Sequence, residues 1–383
     1  MTAVGRRLAE GEPIAITGVG LVSSLGADAV SSCAAARAGL SRPQPIEDAM
    51  AWDEAEADSV PVHGHAVRHL TQGFAGLGRL ARLGVAAWED LDRNEAGTAP
   101  ARYGLYIATS DGYYTAHARG QDEQPPTRDG VIADIQLAHR ESIAERLPAR
   151  LVALRGKGSA GVTRALTGQH ASFAAALIDA VADLRAGAVS EAIVGGVDSL
   201  VDPRVVGSLA RLGLLKTPDN PAGMAPGEGA AFVRLQRRSA MSPERRAIGF
   251  LSQVAWAAEE THRLADERST GQPLLTLLRD APPTAQDGSR LLMLSTLNGD
   301  PVRAHEWGAT IVGLPSWAHT AAHVHPAMSF GDTGAAAAAM NTVFGLRTCA
   351  RGRAGYTSVL VWAAGDDGGR SAIWVEPATG SIS

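Results

Sequence analysis

Residues 168–173 read Gly168-Gln169-His170-Ala171-Ser172-Phe173, and they mark the point where a strand gives way to a helix. Beyond them, apolar residues recur at helical spacing and define one apolar face: Phe173, Leu177, Ala180, Val181 and Leu184. Gly187 then supplies a stop signal. A helix N-terminus favours a thiolate, an oxyanion or a phosphate, because it presents unpaired N–H groups and the positive end of the dipole. A nucleophile would sit here, yet the residue present is His170, and the only cysteines, Cys33 and Cys349, are distant in sequence.

The composition narrows the class of protein. The chain has 383 residues, of which 45% are hydrophobic, enough for one large layered unit or two domains. Its formal net charge is -5 and it has no long basic run, so we expect no nucleic-acid partner. Two cysteines cannot form a disulfide framework, and residues 1–20 lack the apolar stretch of a signal peptide, which together indicate a cytoplasmic location. No apolar run approaches the ~20 residues of a membrane span, so no membrane association is expected.

The first part of the chain alternates apolar runs with helical patterns. Ile14 to Val22 is apolar throughout, which predicts a strand buried on both faces, followed by a glycine turn and a helix. Other runs predict a helix over 77–91 and strands over 103–108 and 192–197. Residues 45–66 lack a period and predict a surface excursion, and the polar stretch 115–129 predicts a loop.

The remainder of the chain predicts a second unit. Residues 239–287 are charged and include two adjacent prolines, so we place a boundary near residue 245, giving an N-terminal half of 1–245 and a C-terminal half of 246–383. Within the second half, the pattern predicts strands over 291–295, 357–363 and 372–376 and an alanine-rich helix over 335–346.

Several motifs resemble β-ketoacyl synthases, a family of the thiolase superfamily. Thr17-Gly18-Val19-Gly20 and Ser23-Ser24-Leu25-Gly26 resemble the opening TG-x-G and S-x-L-G of that family. Val194-Gly195-Gly196 resembles its VGG strand, and residues 221–232 resemble its GF-x-x-GEGA segment. The resemblance covers residues 14–235 in the family's order. It implies an α/β fold, a thiolase-like layered αβαβα sandwich made of two similar halves.

The resemblance also implies a catalytic site that this chain does not reproduce. Condensing members use a cysteine nucleophile, two histidines and a lysine, and they carry a phenylalanine in a GFGG turn. A thiolate attacks the acyl group, and the developing enolate needs donors aimed at its oxygen. Here different residues occupy the corresponding positions: His170 for the cysteine, Leu292 or, with a gap, Ser295 for the first histidine, Asp332 for the second, Ala327 for the lysine, and Asp366 and Asp367 in the turn.

No residue stands out as a confident catalytic group. His170 occupies the nucleophile position, and Ser172 is a weaker candidate, but each has a structural interpretation, as a buried hydrogen-bonded histidine and as a first-turn cap. Asp332 is equally explained as a helix cap, and Glu228 as a structural acceptor. The implied substrate pocket contains His170, Phe173, Phe330 and Asp332. His319, His323 and His325 are interpreted as a solvated loop, and we expect neither a metal nor a cofactor.

Three functions remain open from the sequence, so whether the chain is an enzyme is undecided. The first is a non-condensing homologue resembling chain-length-factor subunits, which pair with an active ketosynthase in polyketide, polyene or fatty-acid-type biosynthesis. The second is an acyltransferase-type enzyme that acts on acyl carrier protein thioesters through His170 or Ser172. The third is a scaffold that binds acyl carrier protein. The resemblance implies a heterodimer with an active ketosynthase, or a homodimer, formed across the strand next to the nucleophile helix.

Overall fold

A large sheet with helices on both faces organises the structure, a computed structural model that describes residues 5–8, 10–93, 102–110, 112–120, 143–156, 158–261, 263, 265, 268–279, 290–350 and 355–378. Its strands, numbered in chain order, are β1 (Arg6–Arg7), β2 (Ile14–Val22), β3 (Gln44–Asp53), β4 (Asp58–Gly64), β5 (Arg102–Ser110), β6 (Ser159–Gly168), β7 (Ala192–Ser199), β8 (Glu228–Arg237), β9 (Gly249–Ala258), β10 (Leu291–Ser295), β11 (Ala322–Val324), β12 (Ser358–Ala364) and β13 (Gly369–Pro377).

The helices are α1 (Ala29–Arg37), α2 (Arg68–Thr71), α3 (Gly76–Arg93), α4 (Tyr113–Gly120), α5 (143–155), α6 (Ser172–Arg185), α7 (Pro203–Arg211), α8 (Gln272–Arg279), α9 (Pro301–Val312), α10 (Ser316–Thr320), α11 (Ala327–Phe330) and α12 (Ala337–Ala350). A short 3₁₀ turn, Gly334–Ala336, leads into α12. None of the helices that the structure describes is long and apolar enough to cross a membrane.

The two halves of the sheet repeat one strand topology. The first half runs β2-β8-β7-β5-β6 and the second β9-β13-β12-β10-β11, so each has its first strand beside its fifth and its third at the far edge. The first two pairings are antiparallel and the last two parallel in both halves. Antiparallel pairing of β2 with β9, over Ile14–Ile16, joins the halves into one sheet.

Three hydrophobic clusters separate the layers. The central cluster contains α6 and α12, which pack against strands of both halves. Helices α3 and α5 cover the outer face of the first half, and α8 to α10 cover that of the second. This arrangement confirms the predicted α/β fold, a thiolase-like layered sandwich of two similar halves.

Most predicted elements form, but three stretches differ. Residues 45–66 contain the β3–β4 hairpin, whose strands are short of apolar residues because one face is exposed. Residues 115–120 lie in α4, and the rest of the predicted loop lies outside the described residues. The charged stretch 239–287 contains β9 and α8. The boundary near residue 245 stays a prediction and falls in the connection between β8 and β9.

Local chemistry fixes the helix that follows β6. Gly168 has a φ of +154°, and α6 begins at Ser172 and ends at Arg185. Gly187, the predicted stop, adopts a φ of +72°, and its N–H donates to the carbonyl of Leu184. The side chains of α6 face the central core, so the start of α6 lies between the two half-sheets.

Glu228 ties the start of β8 to the outer layer. Its buried carboxylate accepts hydrogen bonds from Val67 N–H at 2.7 Å, Thr71 Oγ1 at 2.7 Å and Ser199 Oγ at 2.8 Å. Arg79 donates to both of its oxygens, at 2.6 and 3.0 Å. Because every contact is intramolecular and buried, Glu228 is the structural acceptor that the sequence indicates.

Candidate functional site

The imidazole of His170, immediately before α6, is paired with a carboxylate. His170 Nε2 lies 2.6 Å from Asp332 Oδ1, and both side chains are buried. Asp332 precedes the turn into α12, the counterpart of α6 in the second half. Since a carboxylate only accepts, Nε2–H of His170 donates in this contact. The residue at the nucleophile position therefore pairs with the one at the second-histidine position, 162 residues away.

Arg303, on α9, extends the pair into a network. Its Nη1 donates to Asp332 Oδ2 at 3.3 Å and to the carbonyl of Thr296 at 3.0 Å. Its Nη1 and Nη2 also lie 3.2 and 3.4 Å from His170 Nε2 and Nδ1. Its Nε and Nη2 donate to Asp366 Oδ1 at 3.0 and 2.9 Å. Every nitrogen of this buried guanidinium is thus engaged.

The turn between β12 and β13 supplies the far end of the network. Asp366 accepts from Arg303 through Oδ1 and from the Tyr114 hydroxyl through Oδ2, at 2.8 Å. The neighbouring Asp367 accepts from Gln169 N–H at 3.0 Å. The two acidic residues that replace the family's phenylalanine turn therefore hold this turn against the start of α6.

Two further groups fill the region after β10. Asn298 Nδ2 donates to Asp332 Oδ2 at 2.6 Å, and Gly334 N–H donates to Asp332 Oδ1 at 2.9 Å. The N-cap of the 3₁₀ turn is Thr333, so Asp332 lies one residue before the cap position that the sequence predicts for it. It accepts this backbone N–H and also pairs with His170. Ser295, at one of the two positions matched to the first histidine, has its hydroxyl 2.7 Å from His325 Nδ1.

A second buried ion cluster lies beside the same turn. Arg370, at the start of β13, pairs with Glu259 at 2.8 Å and contacts both oxygens of Glu306. Arg370 Nη1 also donates to the carbonyls of Gly365 and Gly369, at 2.8 and 3.0 Å. Charged side chains therefore occupy the interior on both sides of Asp366.

The charges of the network stabilise one another. Burial alone would raise the pKa of Asp332, but interaction with His170 and Arg303 outweighs it and holds that pKa well below its usual range. Burial also acts to raise the pKa of Asp366, yet Arg303 and Arg263 leave it lowered. Burial opposes the charged form of Arg303, but Asp366 and Asp332 leave its pKa raised. Both carboxylates therefore stay ionised. Burial, and to a smaller extent the charge of Asp366, raises the pKa of Tyr114, so the Tyr114 hydroxyl stays protonated.

Among the described residues, the side-chain donors of His170, Arg303 and Tyr114 are all engaged within the protein. Oxyanion stabilisation requires N–H or O–H groups aimed at the substrate, and here those of His170, Arg303 and Tyr114 point at protein acceptors. Ser172 Oγ donates to the carbonyl of Gln169 at 2.7 Å and caps no backbone N–H, which differs from the predicted cap. The geometry is that of a structural ion network.

The other predicted residues have separate places. Phe173 and Phe330 lie in the central core, and together with His170 and Asp332 they do not line the cavity of about 620 Å³ formed by the β3–β4 hairpin and the loop 216–225. Their role as a substrate pocket stays a prediction. The predicted solvated histidine loop is wrong for His323 and His325: burial lowers the pKa of both, that of His323 to about 4, and His323 contacts Trp307. Across the described residues, no group of three or more His, Cys, Asp or Glu could hold a metal ion.

Sequence reasoning missed three members of the network. Arg303 lies in a helix whose sequence does not distinguish it from a surface arginine, Tyr114 lies just before the stretch predicted as a loop, and Asn298 is one polar residue among several. A signal does exist in retrospect. His170, Asp332 and Asp366 stand where the resemblance expects three other residues, and two of them carry carboxylates. Because buried carboxylates are stable only when they are paired, their presence predicts a buried cation nearby.

Comparisons with known proteins agree with the fold. Residues 79–240 match the family model described as the β-ketoacyl synthase N-terminal domain. A search by sequence among curated proteins finds no significant match. Among solved structures, the ishigamide ketosynthase/chain length factor is similar with a TM-score of 0.61 and 19% identity over 96% of this chain and 99% of that chain.

Two further solved structures are similar. A type II polyketide synthase acyl-carrier protein in complex with its ketosynthase, bound to the hexaketide, gives a TM-score of 0.66 at 16% identity, covering 96% of this chain and 100% of that chain. The oxazolomycin ketosynthase domain KS7 of Streptomyces albus JA3453 gives a TM-score of 0.69 at 17% identity, covering 97% of this chain and 75% of that chain.

The fold is therefore similar to that of solved ketosynthases, one of which is a ketosynthase/chain length factor. The family match adds that residues 79–240 resemble the N-terminal domain of β-ketoacyl synthases.

Proposed function

We propose that this chain is a non-condensing β-ketoacyl synthase homologue that acts as a chain-length-factor-like partner of an active ketosynthase. The single observation that supports the proposal most is the buried ion network of His170, Arg303, Asp332 and Asp366, three of which stand at positions that the sequence resemblance matches to the family's catalytic residues and its phenylalanine turn. The pathway class is polyketide, polyene or fatty-acid-type biosynthesis, with acyl carrier protein as a further partner.

The argument against condensation is energetic. Each donor of an oxyanion hole contributes on the order of 10²-fold to the rate. Freeing Arg303 to serve as such a donor would leave Asp366 and Asp332 without their cation in the interior, which costs several kcal/mol per buried charge. A free nucleophile is missing too, since the His170 imidazole is held by Asp332 and packed against the guanidinium of Arg303. A partner that carries the chemistry would explain a ketosynthase-like scaffold without a reactive centre.

The edge of the sheet offers the surface for such a partner. In the part of the chain that the structure describes, β6 pairs only with β5, so a strand of ten residues lies at the edge next to α6. Thr163, Arg164 and Thr167 are exposed on it. An edge strand presents N–H and C=O groups that another strand can pair with. A second ketosynthase-like subunit docked here would lie against the helix that carries the network.

Co-expression tests the proposal. The chain is produced with an active ketosynthase and its acyl carrier protein, the proteins are separated by size-exclusion chromatography, and the products are identified by mass spectrometry. We expect a heterodimer whose product length differs from that of the ketosynthase alone. A partner whose elution and products are unchanged by this chain would refute the assignment.

A variant separates a structural role from an enzymatic one. His170→Gln keeps an amide that can donate to Asp332, so circular dichroism should show an intact fold, whereas it removes any imidazole chemistry. We expect the heterodimer and its products to be retained. Loss of product with an intact heterodimer would instead support acyl transfer through His170. Binding of acyl carrier protein without any heterodimer would support the scaffold.

A further inference from the structure

A large cavity lies on the other side of Asn298 from the ion network. Its volume is about 620 Å³, within the range of small-molecule sites. Three segments form its walls: the β3–β4 hairpin, the loop 216–225, and the residues around Asn298 and Ala327. No part of the proposed partner role uses this cavity.

The cavity is built from well-anchored backbone. Lys216 N–H donates to the carbonyl of Met224, and Met224 N–H donates to the carbonyl of Leu214, both at 2.8–2.9 Å. Asn220 Nδ2 donates to the carbonyls of Gly213 and Leu215 at 3.0 Å. The loop that carries Lys216 is therefore closed on itself, so the cavity is present without a ligand.

The lining has an apolar body and a cationic end. Prolines, valines and alanines of the hairpin and the loop make most of its wall, with Met328 at the opposite side. Lys216 contributes an ammonium group, and it is one of only two lysines in the chain. None of the described residues that line the cavity is acidic, although the whole chain has 40 acidic residues and a net charge of -5. The local charge therefore favours an anion.

Two histidines line the cavity. His63 is exposed on β4, whereas His65 is buried, and burial lowers its pKa to about 4. His65 is thus a neutral imidazole at neutral pH and adds no charge to the wall. Its Nδ1 is enclosed by protein atoms, so that nitrogen offers no hydrogen bond to a ligand.

We infer that this cavity binds an amphipathic carboxylate, with the carboxylate at Lys216 and a medium-length hydrocarbon chain along the apolar wall. The apolar wall determines affinity, since each buried methylene adds about 0.8 kcal/mol, equivalent to about fourfold in binding. The cation determines orientation and adds less, because Lys216 is exposed to solvent.

Isothermal titration calorimetry on the full chain tests this site with hexanoate, octanoate and decanoate, each below its micellar concentration. We expect saturable binding that strengthens about fifteenfold for each two added carbons until the cavity is full. Octanol serves as the uncharged probe. Lys216→Gln should weaken octanoate binding about threefold and leave octanol binding unchanged.

Filling the cavity provides the second arm of the test. Ala51→Trp places a bulky side chain in the cavity wall and should abolish octanoate binding, whereas Met50→Trp, on the neighbouring residue that does not line the cavity, should preserve it. Ala327→Phe blocks the opposite wall and serves if the hairpin variant does not fold. The inference is overturned if octanoate does not saturate the wild-type chain, if both filling variants bind as the wild type does, or if Lys216→Gln leaves octanoate binding unchanged.

Discussion

Replacing Arg303 by methionine tests whether the site is a structural ion network. Arg303 gives two hydrogen bonds to Asp366 and one to Asp332, and all three side chains are buried. Methionine fills a similar volume without charge. Asp332 would keep contacts with His170, Asn298 and a backbone N–H, but Asp366 would keep only the Tyr114 hydroxyl among its side-chain hydrogen bonds.

The expected cost is large because a buried carboxylate loses its cation. Removing one partner of a buried ion pair destabilises a protein by about 3–5 kcal/mol. Urea unfolding followed by circular dichroism at pH 7, extrapolated linearly to water, measures it. Arg93→Met is the control, since that side chain is mostly exposed and pairs with Asp90 at 3.4 Å, and we expect a change within about 0.5 kcal/mol.

The pH dependence gives a second, independent check. In the wild type, the lowered pKa values of Asp332 and Asp366 mean that their contribution is present above about pH 4 and is lost as pH falls through the folded values. Without Arg303, burial raises the pKa of Asp366 above its unfolded value, so the variant loses stability as pH rises. The deficit should therefore be smaller at pH 5 than at pH 7.

A double variant identifies the charge responsible. Adding Asp366→Asn to Arg303→Met removes the unpaired carboxylate and should recover a substantial part of the loss, whereas independent sites would add their costs. A loss below about 1 kcal/mol for Arg303→Met at pH 7, identical at pH 5, would refute the reasoning.

Three other predictions follow from the fold and the site. Glu228→Gln should destabilise the chain by about 3–5 kcal/mol in urea unfolding, because Arg79 loses its charge partner. Its control is Ser199→Ala, which removes one of several hydrogen bonds to the same carboxylate and should cost about 1 kcal/mol. Gly20→Ala should lower the melting temperature strongly, since its Cβ would lie 2.1 Å from a backbone oxygen of α3; Gly207→Ala, in open space on α7, should stabilise by about 0.5–1 kcal/mol. His170→Cys should show no condensation of malonyl and acyl carrier protein thioesters by mass spectrometry, because Arg303 and both carboxylates still fill the site.

The sequence predicted the fold where burial and period coincide. Strand β2 is buried along nearly its whole length, and α6 has a strictly periodic apolar face, so both are visible in one dimension. The β3–β4 hairpin could not be predicted in this way. One face of its strands is exposed to solvent, and their pairing is interrupted between Pro45 and Met50. Its partners are set by tertiary packing against α7 and not by local preference.

The sequence indicated which residues belong to the site, but not which of them contact one another. The motifs matched His170 and Asp332 to two family positions, yet nothing in their spacing indicates that these residues, 162 apart, are hydrogen-bonded. The role of Arg303 could not be predicted, because it depends on the side chain being buried. The apolar residues of α9 are not periodic enough to show which face of the helix points inward. Contacts of this kind are decided by the close approach of the two half-sheets.

The network draws its members from both halves: His170 and Tyr114 come from the first, and Arg303, Asp332 and Asp366 from the second. Replacing any one charged member by a neutral residue leaves another charged side chain buried without its partner. Placing an uncharged or differently charged set of residues here would therefore demand several simultaneous substitutions, each unfavourable on its own, so evolution by single steps is obstructed at this position.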